Sequence, residues 1–536
     1  MRASLLGELL ESSACRWPDQ PALVFPGQRL SYSELYRGAQ LRARALEQCG
    51  VGSREHVGIF MPNSTDFLLW MFGCALHGSV AVLVNARYKS SELAYVLRNA
   101  ELVCLVTRGE TDGHQNYPAL LSDTLPELSI LAPNTALEEA PLLRQIILCG
   151  VGKVPEGSLF VTESIVLEKA AENAAPVGPA SPESPCLILY TSGTTSRPKG
   201  CVLDHQMLTN KAAAIVERLA FRADDRQWNP LPFYHLASLM PMLACFASGG
   251  RYISDSHFDS ERAWEQILNE QATILYPAFP TIMSELVTHP RFAELDTRQV
   301  RLINNVAPPD RLRENMRLLP HSIHISAYGL TEGTGISCFS HLGDDDQTRT
   351  ICIGKPLSDT QLRIVDSQSG ALRAAGEQGE IQLAGPSVFA GYYQAPEANT
   401  EAFSADGWLR TGDIGSLDSN GRLAYHGRLK EMLKVGGENV SALEIESILS
   451  THPAVKMVQV VGVPDPRLDE VVAAFVELNP GANFDAESFI AYCRERLASF
   501  KVPRYVRFVS EWPMSSTKVQ KFRLRDELIA ELDCKG

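Results

Sequence analysis

Tyr190-Thr-Ser-Gly-Thr-Thr-Ser-Arg-Pro-Lys-Gly200 continues directly from the apolar run Cys186–Tyr190. The run predicts a buried β-strand, and the segment after it predicts a loop suited to an anion. Hydroxyls at Thr191, Ser192, Thr194 and Thr195 surround Gly193, and Lys199 stands just before Gly200. Glycine lets the backbone turn tightly, so its N–H groups and the hydroxyls can converge on phosphate oxygens. Lys199 adds a point charge. The order differs from a Walker A loop, because Lys199 follows Pro198 and precedes Gly200 rather than Ser or Thr. An ordinary surface loop rich in Ser, Thr and Gly is the plainer reading of the same residues.

Around this segment the pattern is that of α/β layers. Short strands such as Val57–Met61 and Val80–Val84 alternate with amphipathic helical runs through residues 1–180, which predicts largely parallel sheets. The apolar stretch from Phe67 to Val84 is broken by His77-Gly78-Ser79, so it reads as a buried helix, a turn and a strand rather than a membrane span. Residues 172–185, rich in Ala, Pro, Glu and Ser, predict a surface loop. From about Gly376 the texture becomes β-rich, with Gly379–Leu383, Gly407–Arg410 and Asp418–Tyr425 suggesting a small twisted sheet or barrel. Beyond Gly427 the pattern reads helix Ala442–Ser450, strands Val455–Gly462 and Val471–Leu478, and helix Ala486–Leu497. That is a compact α+β unit. The chain therefore divides into residues 1–427 and 428–536, with a cleft between them where ligands commonly bind.

The 536 residues suggest roughly three to four domain-sized units. With 45% hydrophobic and 21% charged residues, the chain is neither disordered nor a disulfide-stapled miniprotein. A formal net charge of −14 argues against a nucleic-acid partner. The cysteines are scattered, with no CxxC pair, and Cys74, Cys104, Cys149 and Cys245 lie in apolar runs. They read as reduced core thiols. Glu8 and Glu11 interrupt the first apolar residues, so these do not read as a signal peptide, and the cytoplasm is the expected compartment.

Four further segments carry chemistry. Ala327-Tyr-Gly-Leu-Thr-Glu-Gly333 combines an aromatic face, a hydroxyl and a carboxylate. These suit a base, a phosphate and a hard cation such as Mg²⁺ on Glu332. A strand-end turn with a capping Thr would look similar. Asp413, in Trp408-Leu-Arg-Thr-Gly-Asp413, can accept from two ribose hydroxyls, with Arg428 behind it as a fixed donor fork. A plain salt bridge between the two is the other reading. Lys434-Val-Gly-Gly-Glu-Asn439 offers paired glycines where a ligand approaches the backbone closely. Pro513-Met-Ser-Ser-Thr-Lys518-Val-Gln-Lys521 sets lysines among hydroxyls, which a solvated loop would also do.

In this combination and order the segments resemble the acyl-adenylate-forming superfamily: acyl- and aryl-CoA synthetases, peptide-synthetase adenylation domains and luciferase. The likeness runs from Leu30-Ser-Tyr-Ser-Glu34 to Lys521-Phe-Arg-Leu-Arg525. It implies an α/β fold, with a large N-terminal domain of two α/β subdomains plus a β-barrel and a small mobile α+β C-terminal domain. It implies an AMP-forming acid–thiol ligase that takes a carboxylic acid, ATP and CoA as substrates, with Mg²⁺ as cofactor. On this resemblance Thr191 to Gly200, including Ser192, Gly193, Thr194, Thr195 and Lys199, would hold the β- and γ-phosphates. Ala307, Tyr328 and Gly329 would line the adenine. Thr331 would meet the α-phosphate, and Glu332 the metal. Asp413 and Arg428 would hold the ribose, Lys430 would be the hinge, and Lys518 the adenylating lysine. Lys434, Gly436 and Gly437 would line the CoA arm. His235, Ala237 and Ser238 in Leu231-Pro-Phe-Tyr-His-Leu-Ala-Ser238, with Thr281 from Tyr276-Pro-Ala-Phe-Pro-Thr281, would wall the acid pocket. His235 stands where amino-acid-activating relatives carry an Asp, which points to a simple carboxylic acid. His235 as a satisfied core histidine is the other reading. Homodimers are common in the family.

Three departures stand out. Ser196 replaces the usual Gly of the phosphate loop, as in crotonobetaine/carnitine-CoA ligase-like members. Val306 replaces a Gly in Asn304-Asn-Val-Ala-Pro308. Thr517 abuts Lys518 where the family has Gly, and Lys521 remains a rival for its role. Two other readings stay open: a carrier-protein phosphopantetheine as acceptor, and a catalytically silent nucleotide-binding protein.

Overall fold

The apolar stretch from Phe67 to Val84 splits at Gly78 into the helix Thr65–His77 and the strand Val80–Leu83. Ser64 starts the helix by accepting a hydrogen bond from the Phe67 N–H, the role that Ser fills at a helix N-terminus. The strand is buried throughout, as befits a parallel sheet covered on both faces. The computed structural model describes residues 3–109, 115–129, 137–150, 159–171, 181–191, 198–307, 309–435, 438–482, 484–515 and 518–533. Most of the predicted loop at 172–185 lies outside them.

Two seven-stranded sheets form the large domain. In the first, the spatial order is Phe160–Thr162, Gln145–Cys149, Leu102–Arg108, His56–Phe60, Val80–Leu83, Pro185–Thr191, Lys199–Asp204. All pairings are parallel except the last, an antiparallel hairpin. The second sheet runs Ile323–Ile325, Leu302–Asn305, Ile274–Ala278, Arg226–Trp228, Arg251–Ile253, Pro21–Phe25, Gln28–Ser31. The N-terminal hairpin thus joins a sheet whose other strands come some two hundred residues later, through Leu23↔Tyr252. One continuous apolar core spans both layers and the helices His205–Leu219 and Leu236–Ala247. The second of these helices is apolar on nearly every side, which burial between layers requires.

The β-rich region consists of an antiparallel sheet of Gln361–Val365, Gly379–Ala384, Leu409–Leu417 and Leu423–Arg428, and a three-stranded sheet of Ala327–Tyr328, Cys338–Phe339 and Lys355–Pro356. A bridge between Gly354 and Leu423 joins the two. Buried polar groups fasten this region to the helix His205–Leu219. The Lys211 ammonium lies 3.1 Å from Asp359 Oδ1 and 2.9 Å from Thr360 Oγ1. The Arg218 guanidinium donates to the carbonyls of Phe339, Lys355 and Pro356 at 2.7, 2.8 and 2.7 Å.

The C-terminal domain has its own core. Its long hairpin, Val455–Asp465 with Asp469–Leu478, alternates strictly: Val458, Val460, Val472, Ala474 and Val476 face the helices Ala442–Leu449 and Ala486–Arg494. Val461, Val463, Val471, Ala473 and Phe475 face the helix Lys521–Asp533. This period-two alternation lets one antiparallel pair carry apolar layers on both faces. Among the described residues every cysteine is free, and no helix is long and apolar enough to cross a membrane.

Candidate active site

The strand Ala327–Tyr328 ends in a turn that only glycine permits. A Cβ on Gly329 would lie 1.9 Å from the Gly335 carbonyl oxygen, and one on Gly335, whose φ is +87°, would lie 2.6 Å from Leu236 Cβ. The turn therefore folds back on itself and presses on the start of the helix Leu236–Ala247, beside His235, Ala237 and Ser238. Leu330 accepts from the N–H groups of Gly333 and Gly335, and Thr331 from that of Thr334. These bonds hold Thr331 and Glu332 at a fixed place. Gly329→Ala should break that turn, because the added Cβ meets backbone rather than a movable side chain, and thermal unfolding checks the loss of stability.

Tyr328 is buried, and its hydroxyl donates to Asp413 Oδ2 at 2.8 Å. Asp413 and Arg428 are direct partners across the antiparallel pair Leu409–Leu417 and Leu423–Arg428. The Arg428 Nε lies 3.2 Å from Asp413 Oδ1, with the carboxylate buried and the guanidinium partly open to solvent. The Tyr425 ring packs at 5.8 Å from that of Tyr328. Burial, then the Asp413 charge, pushes the Tyr328 phenol well above its ordinary value, so it stays a donor at any working pH.

Glu332 is held by a residue the sequence reading passed over. The Tyr392 hydroxyl donates to Glu332 Oε1 at 2.7 Å, and the Lys199 ammonium stands 5.2 Å from the centre of the Tyr392 ring. Among the described residues no hydrogen bond reaches Oε2. Glu332 follows Tyr328 by four residues in the same turn, and its charge, with that of Asp413, favours the charged Arg428 guanidinium. Lys199 faces Thr191 across the hairpin, and the Tyr393 N–H donates to the Gly200 carbonyl at 2.8 Å, tying Tyr392 to this strand. Ser192, Gly193, Thr194, Thr195 and Ser196 lie outside the described residues. The visible signal for Tyr392 was the aromatic pair after Gly391, with no spacing that linked it to Glu332.

The pocket-wall candidates separate. His235, partly buried, accepts the Ser238 and Leu239 N–H groups at its carbonyl, and its ring lies 4.8 Å from that of Tyr234. Ala237 is partly exposed, whereas Ser238 is buried with its hydroxyl 2.8 Å from that of Tyr252. Thr281 is exposed in the first turn of the helix Pro280–Thr288. Ala307 follows Val306, whose N–H is bound to the Ala278 carbonyl at 2.9 Å.

Past Arg428, a single 3₁₀ turn, Leu429–Glu431, carries the exposed Lys430 and leads into the strand Met432–Val435. Lys434 is exposed there, and its N–H donates to Glu470 at 2.9 Å. Gly436 and Gly437 lie outside the described residues, as does the Lys518 side chain, although the Lys518 backbone pairs with Ser515 in a short hairpin. Lys521 is engaged elsewhere: its ammonium lies 2.7 Å from Glu446 Oε1 and 3.3 Å from Glu431 Oε2. Burial pushes the Glu446 carboxyl above its ordinary range, and Lys521 opposes that shift. A carboxyl raised in the folded state takes up a proton on folding, so its contribution to stability falls as pH rises through the raised value. Lys521→Met should therefore destabilise the C-terminal domain by about 3 kcal/mol at neutral pH by leaving a buried carboxylate unpaired. The loss should shrink as pH falls to about 3, below the ordinary Glu range, where the carboxyl is protonated in both states, and urea unfolding at the two pH values checks this.

A family model described as AMP-binding enzyme matches residues 10–393, and one described as AMP-binding enzyme C-terminal domain matches residues 444–518. The chain is 33% identical over 537 residues to the putative acyl-CoA synthetase YngI of Bacillus subtilis (strain 168), covering 98% of this chain and 97% of that one. It is 31% identical over 540 residues to the mitochondrial medium-chain acyl-CoA ligase ACSF2 of Rattus norvegicus, covering 98% and 87%. Among solved structures it is similar to the anthranilate CoA ligase AuaEII in complex with anthranoyl-AMP, with 26% identity, a TM-score of 0.87 and coverage of 99% and 98%.

Proposed function

The chain belongs to the AMP-binding enzyme family, and on that premise we propose that the side chains gathered around Asp413 and Glu332 are its nucleotide site. The protein is an AMP-forming acid–thiol ligase. A carboxylate oxygen attacks the α-phosphorus of ATP and pyrophosphate leaves; the CoA thiol then attacks the acyl carbon and AMP leaves. The observation that carries the site assignment is the buried Asp413 carboxylate, held by Tyr328 and Arg428, with Glu332 in the turn that follows Tyr328.

In this reading Asp413 accepts from the ribose hydroxyls and Arg428 backs it. The Tyr328 and Tyr425 rings form the apolar wall for adenine, with Gly329 and Ala307 at its edge. Thr191 and Lys199 stand at the two ends of the loop that receives the phosphates, and Thr331 meets the α-phosphate. The first step sets an anionic nucleophile against a polyanion, and like unit charges about 4 Å apart repel by about 4 kcal/mol at an effective dielectric near 20. Glu332, with Oε1 fixed by Tyr392, is the residue that would hold Mg²⁺; the ion would neutralise charge on the phosphoryl oxygens. The Lys518 ammonium supplies the second positive charge in the transition state.

We place the division of labour at residues 1–427 and 428–536. Rotation about Lys430 would exchange Lys518 for the arm formed by Lys434, Gly436 and Gly437 between the two half-reactions. The single exposed 3₁₀ turn between two sheets supports that hinge. We further place the enzyme in the cytoplasm, the compartment that suits its free buried thiols. Release of AMP across a panel of carboxylic acids, with and without CoA, tests the reading. AMP release that needs an acid and rises with CoA supports it, whereas acid-independent release or formation of ADP would refute it.

A further inference from the structure

The loop of residues 387–393 reaches two parts of the candidate site that lie far apart in the chain. On one side it grips the turn that carries Glu332. Thr334 Oγ1 donates to the Ser387 carbonyl at 2.6 Å, and the Phe389 N–H donates to the Glu332 carbonyl at 2.9 Å. The Tyr392 hydroxyl donates to Glu332 Oε1 at 2.7 Å. On the other side the loop pairs with the strand Lys199–Asp204. Tyr392 stands opposite Cys201 in an isolated bridge. The N–H groups of Val202 and Tyr393 donate to the Gly391 and Gly200 carbonyls at 3.4 and 2.8 Å. Lys199 lies two residues before Cys201 on that strand and so shares its face. Its ammonium sits 5.2 Å from the centre of the Tyr392 ring.

Tyr392 is itself held firmly. Asn399 accepts the Tyr392 N–H on Oδ1 at 2.6 Å and donates from Nδ2 to the Tyr392 carbonyl at 3.0 Å. The Phe389 ring packs edge-on against the Tyr392 ring, with centres 4.8 Å apart. Among the described residues neither Lys199 nor Glu332 has an ion-pair partner. Opposite charges attract, and the flexible four-carbon stem of a lysine lets its ammonium seek a nearby carboxylate. Here one phenol engages both groups. Its hydroxyl donates to the carboxylate, and its π face attracts the cation.

We propose that Tyr392 is a positioning residue that keeps Lys199 and Glu332 from pairing with each other, so that the carboxylate stays open to the cation and the ammonium to the phosphates. The inference rests on reading Glu332 as the Mg²⁺ carboxylate and Lys199 as part of the phosphate loop. A Lys199–Glu332 ion pair would neutralise both groups before ATP arrives. Tyr392 opposes it by giving each charge a neutral partner. The hydroxyl fixes one carboxylate oxygen, and among the described residues no hydrogen bond reaches the other. The ring face steadies the ammonium without cancelling its charge. Two separable roles follow: the hydroxyl acts on metal-dependent binding, and the ring on binding of the triphosphate itself.

The test is the dissociation constant of ATP from the full chain, measured by equilibrium dialysis without acid or CoA, once with Mg²⁺ and once with EDTA in its place. Tyr392→Phe keeps the ring and loses the hydroxyl. It should weaken binding in Mg²⁺ by about tenfold, the scale of one hydrogen bond to a charged group, and leave binding in EDTA close to wild type. Tyr392→Leu removes the ring as well and should weaken both, because Lys199 is then free to pair with Glu332. Tyr392→Phe decides the matter alone. If it matches wild type in Mg²⁺, or loses equally in both conditions as mere bracing of the fold would give, the inference is overturned and the ligase reading stands. Wild-type protein that binds ATP in neither condition would overturn the ligase reading and the inference with it.

Discussion

Lys518→Ala should lower acid-dependent pyrophosphate–ATP exchange by about 10²-fold or more while leaving thioester formation from supplied acyl-AMP close to wild type. The split follows from charge. Adenylation gathers negative charge at the α-phosphorus as carboxylate and polyphosphate meet, and an ammonium positioned there acts only in that step. Thiol attack on the acyl carbon needs no such group. Lys521 provides the contrast, because its ammonium already lies between Glu446 and Glu431 at 2.7 and 3.3 Å. Lys521→Ala should keep its exchange rate per folded molecule. Exchange that survives in Lys518→Ala and vanishes in folded Lys521→Ala would reverse the assignment, and with it the reading of Thr517 as a tolerated replacement for glycine.

Asp413→Asn should reduce kcat/KM for ATP by about 10²-fold, close to 3 kcal/mol, the range for a buried hydrogen bond to a charged group. The substitution keeps the shape and removes the charge, so the new amide turns a donor toward Tyr328, Arg428 or the ribose. Tyr328→Phe removes one of the two groups that orient the carboxylate and should cost about tenfold, near 1.4 kcal/mol, in the same parameter. The measurement is initial rate against ATP concentration at saturating acid. A change below about threefold in Asp413→Asn would mean that the Asp413–Arg428 pair braces the hairpin and takes no part in binding ATP.

The two-layer architecture was legible because its signals are local. An apolar run broken by His77-Gly78-Ser79 reads as helix, turn and strand, and the structure has the helix Thr65–His77 and the strand Val80–Leu83. The strands read at Val455–Gly462 and Val471–Leu478 are present as Val455–Asp465 and Asp469–Leu478, and their pairing as one antiparallel hairpin emerged only in the structure. Asp413 and Arg428 could be named as candidates from residue type, but the register that sets them opposite each other depends on a bulge between Ile414 and Gly415 that carries no sequence mark. Tyr392 escaped notice because its partner Glu332 lies sixty residues away. The Lys521 ion pairs span up to ninety residues and depend on how a helix docks on a sheet. The N-terminal hairpin joining the second sheet is a further long-range pairing of this kind.

The central claim is that one carboxylate oxygen of the acid becomes an oxygen of AMP on the way to the thioester. Turnover of an accepted acid labelled with oxygen-18 in its carboxyl group, with ATP and CoA, followed by mass analysis of the nucleotide, tests it directly. AMP carrying one labelled oxygen, with thioester formed in equal amount, is the predicted result. Unlabelled AMP, or label found in inorganic phosphate alongside ADP, would contradict the account.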